Sequence, residues 1–205
     1  MSGIARNILF ITSETYTKHI HPRDKSNRTI FGDAAAAILI SYEGFAEILN
    51  FSLGTDGRGA ENLIVRTGGM RKKGLLQDLR FDESGNPLCS DNLFMNGTEI
   101  LSFTLDVVPA LVQKVLAAND LNQEDISLFV FHQANRYMME FLRKKLKINP
   151  ERFYYYMENT GNTVSSTIPI ALKAALDKSD LSGVKNVMLA GFGVGYSWGG
   201  TILRF

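Results

Sequence analysis

The chain has 205 residues, 45% of them hydrophobic, with 18 glycines and 5 prolines, the make-up of one large or two small globular domains able to bury a core. Its 22 basic and 21 acidic residues leave a formal charge of +1, which gives no global attraction to nucleic acid or to an anionic membrane. The single cysteine, Cys89, excludes an internal disulfide and fits a reducing, cytoplasmic setting.

The opening stretch, MSGIARNILFITSE, carries an apolar run too short for a membrane span and has no small-residue cleavage site. Residues 7–12 (NILFIT) and 34–40 (AAAAILI) are short apolar runs that read as interior strands. The charged loop between them holds His19, His21 and Asp24, a pattern that solvated surface explains better than a metal site. Residues 54–87 are rich in glycine and basic side chains (GTDGRGAEN, RTGGMRKKG, DESGNP) with little periodicity, which predicts surface loop. Asn96 with Glu99 then resembles a capping box opening a long helix. Its apolar face is Ile100, Leu101, Phe103, Val107, Val108, Leu111, Val112 and Val115, and Pro109 predicts a kink.

A strand over 127–131 leads into a helix from about 135 to 146, with Met138, Phe141, Leu142 and Leu146 on one side and Arg143, Lys144 and Lys147 toward water. RFYYYMEN (152–159) reads as a third strand that breaks at Thr160-Gly161-Asn162-Thr163, and Pro169 sits within the first turns of the next helix. NVMLAGF and YSWGGTILRF, joined by Gly193-Val194-Gly195, predict a hairpin. Strands alternating with helices from residue 92 onward mean α/β layers. The first two strands have no β-α units before them, so their sheet is expected to be incomplete in this chain.

His132 ends a strand and Asn162 lies in the next strand-to-helix turn, so both are expected at one sheet edge, where α/β proteins place ligands. An imidazole and a carboxamide aimed at one spot can both donate to a developing oxyanion. The competing local reading makes His132 a helix cap and Asn162 a turn residue. The FGVG turn (192–195) could supply oxyanion N–H groups or simply close a hairpin. Cys89, in NPLCSDN, has no helix N-terminus behind it and Asp91 two residues on, a poor setting for an activated thiolate. Arg71, Lys72 and Lys73, and Arg143, Lys144, Lys145 and Lys147, form basic clusters that read as solvated surface or as a landing site for phosphates or an acidic carrier.

Taken together, HQAN (132–135), the GNT turn (161–163), IFGDAAAAILI (30–40) and GFGVGYSWGGTILRF (191–205) closely resemble the β-ketoacyl-acyl-carrier-protein synthase III family of the thiolase-like superfamily. The resemblance implies an α/β, thiolase-like layered fold, incomplete here: 1–90 as a remnant of the N-terminal half with connecting loops, and 91–205 as the C-terminal half. It implies a Cys-His-Asn site in which His132 and Asn162 stabilise the enolate of a decarboxylating malonyl thioester. It further implies that Asn135 contacts the pantetheine arm, that Gly97 lies in a loop lining its tunnel and that Arg28 falls near the family arginine that meets the coenzyme A nucleotide. Phe31 and Phe192 would line the acyl pocket, and Val194 would offer a backbone N–H. Arg136 stands one residue before the family's arginine. The family's nucleophilic cysteine belongs to the first half, at the N-terminus of a buried helix, and Cys89 does not align with it. Acyl-CoA and acyl carrier protein are implied as substrates, with no cofactor and no metal. The implied partner is a second copy or the missing half, in a cytoplasmic enzyme without nucleic-acid or membrane contacts.

Overall fold

The computed structural model describes residues 4–178 and 183–205. Its central sheet is built from β3 (Glu47–Ile48), β11 (Ser197–Arg204), β10 (Asn186–Gly193) and β9 (Leu128–Phe131) in that order, with β4 (Ser52–Thr55) also paired to β11. β9 and β10 run parallel, with Leu128 opposite Val187 and Phe131 opposite Ala190, while β10 and β11 form the expected antiparallel hairpin.

These strands are apolar on both faces because both faces are covered. Phe129, Phe131, Met188 and Ile202 point to one side, into the core under α1 (Gly97–Ala118) and α2 (Arg136–Lys145). Val130, Val187 and Leu203 point to the other, against Ala171 and Leu172 of α3 (Thr167–Lys178). Burying such a phenylalanine is worth several kcal/mol, so Phe129→Ala belongs to the class of truncations costing about 3–5 kcal/mol. β9 thus meets a helix layer on each side, while β10 and β11 lie beyond most of α3 on that face.

α1 is capped by Asn96, whose side chain accepts from the Glu99 N–H at 3.3 Å, but the reciprocal half of the expected capping box does not form, because the Asn96 N–H donates to the Asn62 carbonyl at 2.7 Å. It then runs as one assigned helix through Pro109. Among the described residues it is the one helix long and apolar enough to cross a membrane. Here its stripe of Val108, Leu111, Val112 and Val115 is buried in the core instead.

β1 (Asn7–Glu14) and β2 (Ala34–Ser41) stand apart as an antiparallel pair, with Leu9 opposite Leu39. They pack through β2 on α3 and through β1 on the 3₁₀ turn Val164–Ser166, so α3 lies between this pair and the central sheet. Neither is the interior strand expected of it: Ile8, Leu9, Phe10, Ile11 and Leu39 are exposed. The apolar runs are strands, but Leu9, Ile11 and Leu39 on one face have no layer over them, and Ile8 and Phe10 on the other are only half covered.

Two other expectations change. The stretch 54–87 is not all loop, since β4 reaches Thr55 and β5 (Leu63–Ile64), β6 (Arg80–Phe81) and β7 (Pro87–Leu88) are short strands; β5 pairs with β8 (Phe94–Met95) and β6 with β7. RFYYYMEN is extended beside β9 but forms only one bridge, Phe129 with Phe153. The buried side chain of Gln133 takes the remaining rungs, donating to the carbonyls of Phe131 (2.6 Å) and Tyr154 (3.3 Å) and accepting from the Tyr156 N–H (2.9 Å).

Candidate active site

β9 delivers His132 to the sheet edge, where its backbone N–H donates to the Ala190 carbonyl at 2.8 Å and extends the ladder past the last paired residue. The ring meets the buried Phe192 of β10 edge-on, with centroids 5.5 Å apart. Its Nδ1 lies 2.7 Å from the Thr167 hydroxyl at the start of α3. Burial pushes the imidazole pKa from 6.5 down to about 4, opposed by the Val164 carbonyl. The ring is therefore neutral at physiological pH, a donor or an acceptor but not a cation.

Asn162 comes to the same place along a different route. Its backbone is clamped by the segment before β2: the Asn162 N–H donates to the Ile30 carbonyl at 2.8 Å, and the Gly32 N–H donates to the Asn162 carbonyl at 2.9 Å. Phe31, between them, forms a parallel bridge with Asn162. The approach needs glycine on both sides. A Cβ on Gly32 would fall 2.1 Å from the Thr160 carbonyl oxygen, and one on Gly161, which sits at φ +65°, would fall 2.8 Å from that of Ile30.

The Asn162 side chain accepts from the Val164 N–H at 2.9 Å. That bond fixes which end of the amide is oxygen and leaves Nδ2 with its two donors. Val164 is thus the hub, its N–H holding Asn162 and its carbonyl facing His132. The hub is strained, since Val164 is β-branched and sits at φ +52°, a conformation that costs on the order of 1–3 kcal/mol and persists where surrounding contacts impose it. The local readings of the sequence are therefore also present: Asn162 does hold a turn, and the helix cap falls to Asn135, whose side chain accepts from the Met138 N–H at 2.9 Å.

Beside Phe192 opens an apolar groove of about 500 Å³, lined by Phe51, Leu53, Ile168, Leu189 and Trp198 among others. His132, Asn162, Phe31 and Phe192 are brought together at its end of the molecule through the bridges and contacts above. Thr12 ties β1 to the same region, with its hydroxyl 2.9 Å from that of Ser166.

Two profiles of one family account for most of this chain. The description "3-Oxoacyl-[acyl-carrier-protein (ACP)] synthase III" matches residues 1–57, and its "C terminal" counterpart matches residues 116–205. The chain belongs to the synthase III family. The β-ketoacyl-[acyl-carrier-protein] synthase III of Clostridium tetani is 32% identical over 205 residues, covering 100% of this chain and 61% of that protein. A crystal structure of a 3-oxoacyl-(acyl-carrier-protein) synthase III superposes with a TM-score of 0.93 at 46% identity, covering 100% of this chain and 62% of the other. The synthase III of Thermus thermophilus gives 0.82 at 29% identity, with coverages of 100% and 60%. The fold is the thiolase-like layered fold of this family, in part: the chain spans about 60% of the length of the relatives it matches.

The remaining residues singled out from the synthase III resemblance have surroundings of their own. Gly97 is the first residue of α1 and faces open space. Arg28 is exposed. The Arg136 guanidinium stacks over the Tyr155 ring at 4.1 Å and reaches Glu158 at 3.8 Å, so its charge is already engaged. The Val194 carbonyl accepts from the Ser197 hydroxyl at 3.0 Å within the hairpin turn. Cys89 keeps the company of Asp78 and Asp91. Among the described residues no hydrogen bond joins it to His132 or Asn162. Val164, Thr167 and Gln133 were not marked by the sequence. The hydroxyl of Thr167 before a proline-bearing helix was the one available signal, and it reads equally well as an ordinary helix start.

Proposed function

We propose that this chain carries the His/Asn part of a decarboxylating condensing site, with the nucleophilic cysteine supplied from outside its 205 residues. Residues 1–90 are read as the end of the first thiolase-like half, lending β3 and β4 to the sheet of the second half, residues 91–205. The complete enzyme would accept an acyl group from acyl-CoA onto the cysteine. A malonyl thioester on acyl carrier protein would then lose carbon dioxide, its bonding pair passing into the thioester carbonyl. The resulting enolate would be held by donors from His132 and Asn162. Its carbon would attack the acyl thioester, expelling the cysteine thiolate and leaving a 3-oxoacyl product.

The observation that carries this reading is the convergence of a neutral imidazole and an amide of fixed orientation on one peptide unit, Val164, beside the apolar groove. Donors held in advance of the reaction need no reorganisation when charge develops. The groove then seats the element bearing the nucleophile together with part of the acyl chain, with Phe192 as one wall. Asn135, Gly97 and Arg28 are assigned to the pantetheine and nucleotide path. Arg136 is the weakest member of that path, because Tyr155 and Glu158 already hold it.

The test measures labelled carbon dioxide released from malonyl-CoA and malonyl carrier protein by the chain, alone and with a separately produced first half of a relative. Removing one oxyanion donor typically costs about 3 kcal/mol, so His132→Ala should slow release by two to three orders of magnitude. Asn162→Ala should do the same and Cys89→Ser should change nothing. Undiminished release from the His132 variant would overturn the assignment, and acyl label taken up on Cys89 would overturn the absent nucleophile.

A further inference from the structure

The Thr167 hydroxyl has one proton and two neighbours able to accept it: the Val164 carbonyl at 2.9 Å and His132 Nδ1 at 2.7 Å. The choice between them decides what His132 can do. If the proton goes to Val164, His132 must carry its own hydrogen on Nδ1, and Nε2 offers only a lone pair. If it goes to Nδ1, the ring hydrogen resides on Nε2, which becomes a donor.

The surroundings favour the second arrangement. The Val164 carbonyl already accepts the backbone N–H of Thr167, closing the 3₁₀ turn, so it does not depend on the hydroxyl. With the hydrogen on Nδ1, that nitrogen would instead donate to the Thr167 oxygen, and Nε2 would be left an acceptor with no donor among the described residues, which costs free energy. We propose that Thr167 is a positioning residue that fixes His132 as the Nε2–H tautomer, the form that can donate to an enolate oxygen. The inference rests on the oxyanion role given above to His132. It assigns the choice of tautomer to a side chain that acts through His132.

The experiment is ¹⁵N NMR of the full chain labelled in its three histidine rings, at about pH 8, where the His132 ring is neutral. Magic-angle spinning reads the same nitrogen shifts if the protein is assembled. His132 should be mainly Nε2–H in the wild type. Thr167→Val, which removes the hydroxyl at nearly constant volume, should lower the Nε2–H to Nδ1–H ratio about fivefold or more, the worth of one ordinary hydrogen bond. Thr167→Ser should restore it. Should the valine variant fail to fold, Thr167→Ala reads the same ratio. A wild-type ring already in the Nδ1–H form, or a ratio indifferent to loss of the hydroxyl, would overturn the proposal.

Carbon dioxide release measured on the same samples separates the two claims. A tautomer that follows Thr167 in a chain that never decarboxylates a malonyl thioester keeps the positioning role and removes the enolate. Release that depends on His132 with an unresponsive tautomer does the reverse.

Discussion

Folding takes the His132 ring out of water, and the cost falls on its charged form. With a folded pKa of about 4 against 6.5, the unfolded chain binds a proton between these values and the folded chain does not. Stability from this group is therefore fully present above about pH 6.5 and is lost as pH falls toward 4, by roughly 3 kcal/mol over the whole window. Thermal melts of the wild type and of His132→Gln at half-unit pH steps should diverge in slope between these limits and run parallel above them. Parallel curves throughout would mean that the ring is not desolvated. Glu140 behaves in a lower window. Bonds from Arg143 and Tyr155 hold its carboxyl near 2, so its contribution is full above the ordinary glutamate pKa of 4.5 and is lost as pH falls from there to about 2. At this scale the sequence made His132 and Asn162 visible, because a polar cluster interrupted apolar runs. It hid Val164 and Thr167, because their roles depend on a positive φ and on the aim of one hydroxyl.

Among elements, the clamp between residues 30–32 and Asn162 does what neither segment could do alone. Two backbone bonds join chain segments far apart in sequence, and two glycines let them touch. Gly32→Ala cannot relax through a side chain, since the atom it would strike is the backbone oxygen of Thr160. It should destabilise the chain by about 2 kcal/mol or more and expose the Asn162 amide to exchange. Wild-type protection of that amide in the variant would show that the contact is slack. Gln133 is the matching device on the other flank. Gln133→Leu keeps the volume but strands the Tyr154 carbonyl and the Tyr156 N–H, an expected cost of about 2–3 kcal/mol visible as a lower melting temperature. The GNT turn was legible as a turn, but its partner was not, since nothing local in IFGD says what its backbone will meet. The aromatic run 152–159 was misread as a strand for a related reason. Its side chains have strand character, while a glutamine outside the run occupies its hydrogen-bonding places.

For the whole molecule, the apolar runs of β1 and β2 carried more information than their strand assignment. A run apolar on both faces belongs to a sheet covered on both faces. α3 packs on β2 on one face, where Ile8 and Phe10 of β1 stay about half exposed, and Leu9, Ile11 and Leu39 on the other are more than half exposed, as are Phe51 and Leu53 by the groove. Such a surface is far from the scattered single apolar residues of ordinary monomers. Expressed by itself, the chain should therefore associate, more strongly on warming within the physiological range and in sulfate, as hydrophobic contacts do. The register supplies a sharp test, because Leu9 and Leu39 face each other across the two strands. Leu9→Lys with Leu39→Glu keeps a favourable cross-strand pair, worth a few tenths of a kcal/mol to about 1, and puts two charges in the middle of the bare face. Light scattering coupled to size exclusion should find the double variant shifted toward monomer with its helical circular dichroism unchanged. The same variant should lose any association with a first half supplied in trans, because one face would serve both contacts. An unaltered mass distribution would mean that β1 and β2 are not where association occurs, and the groove beside Phe192 would be the next surface to charge.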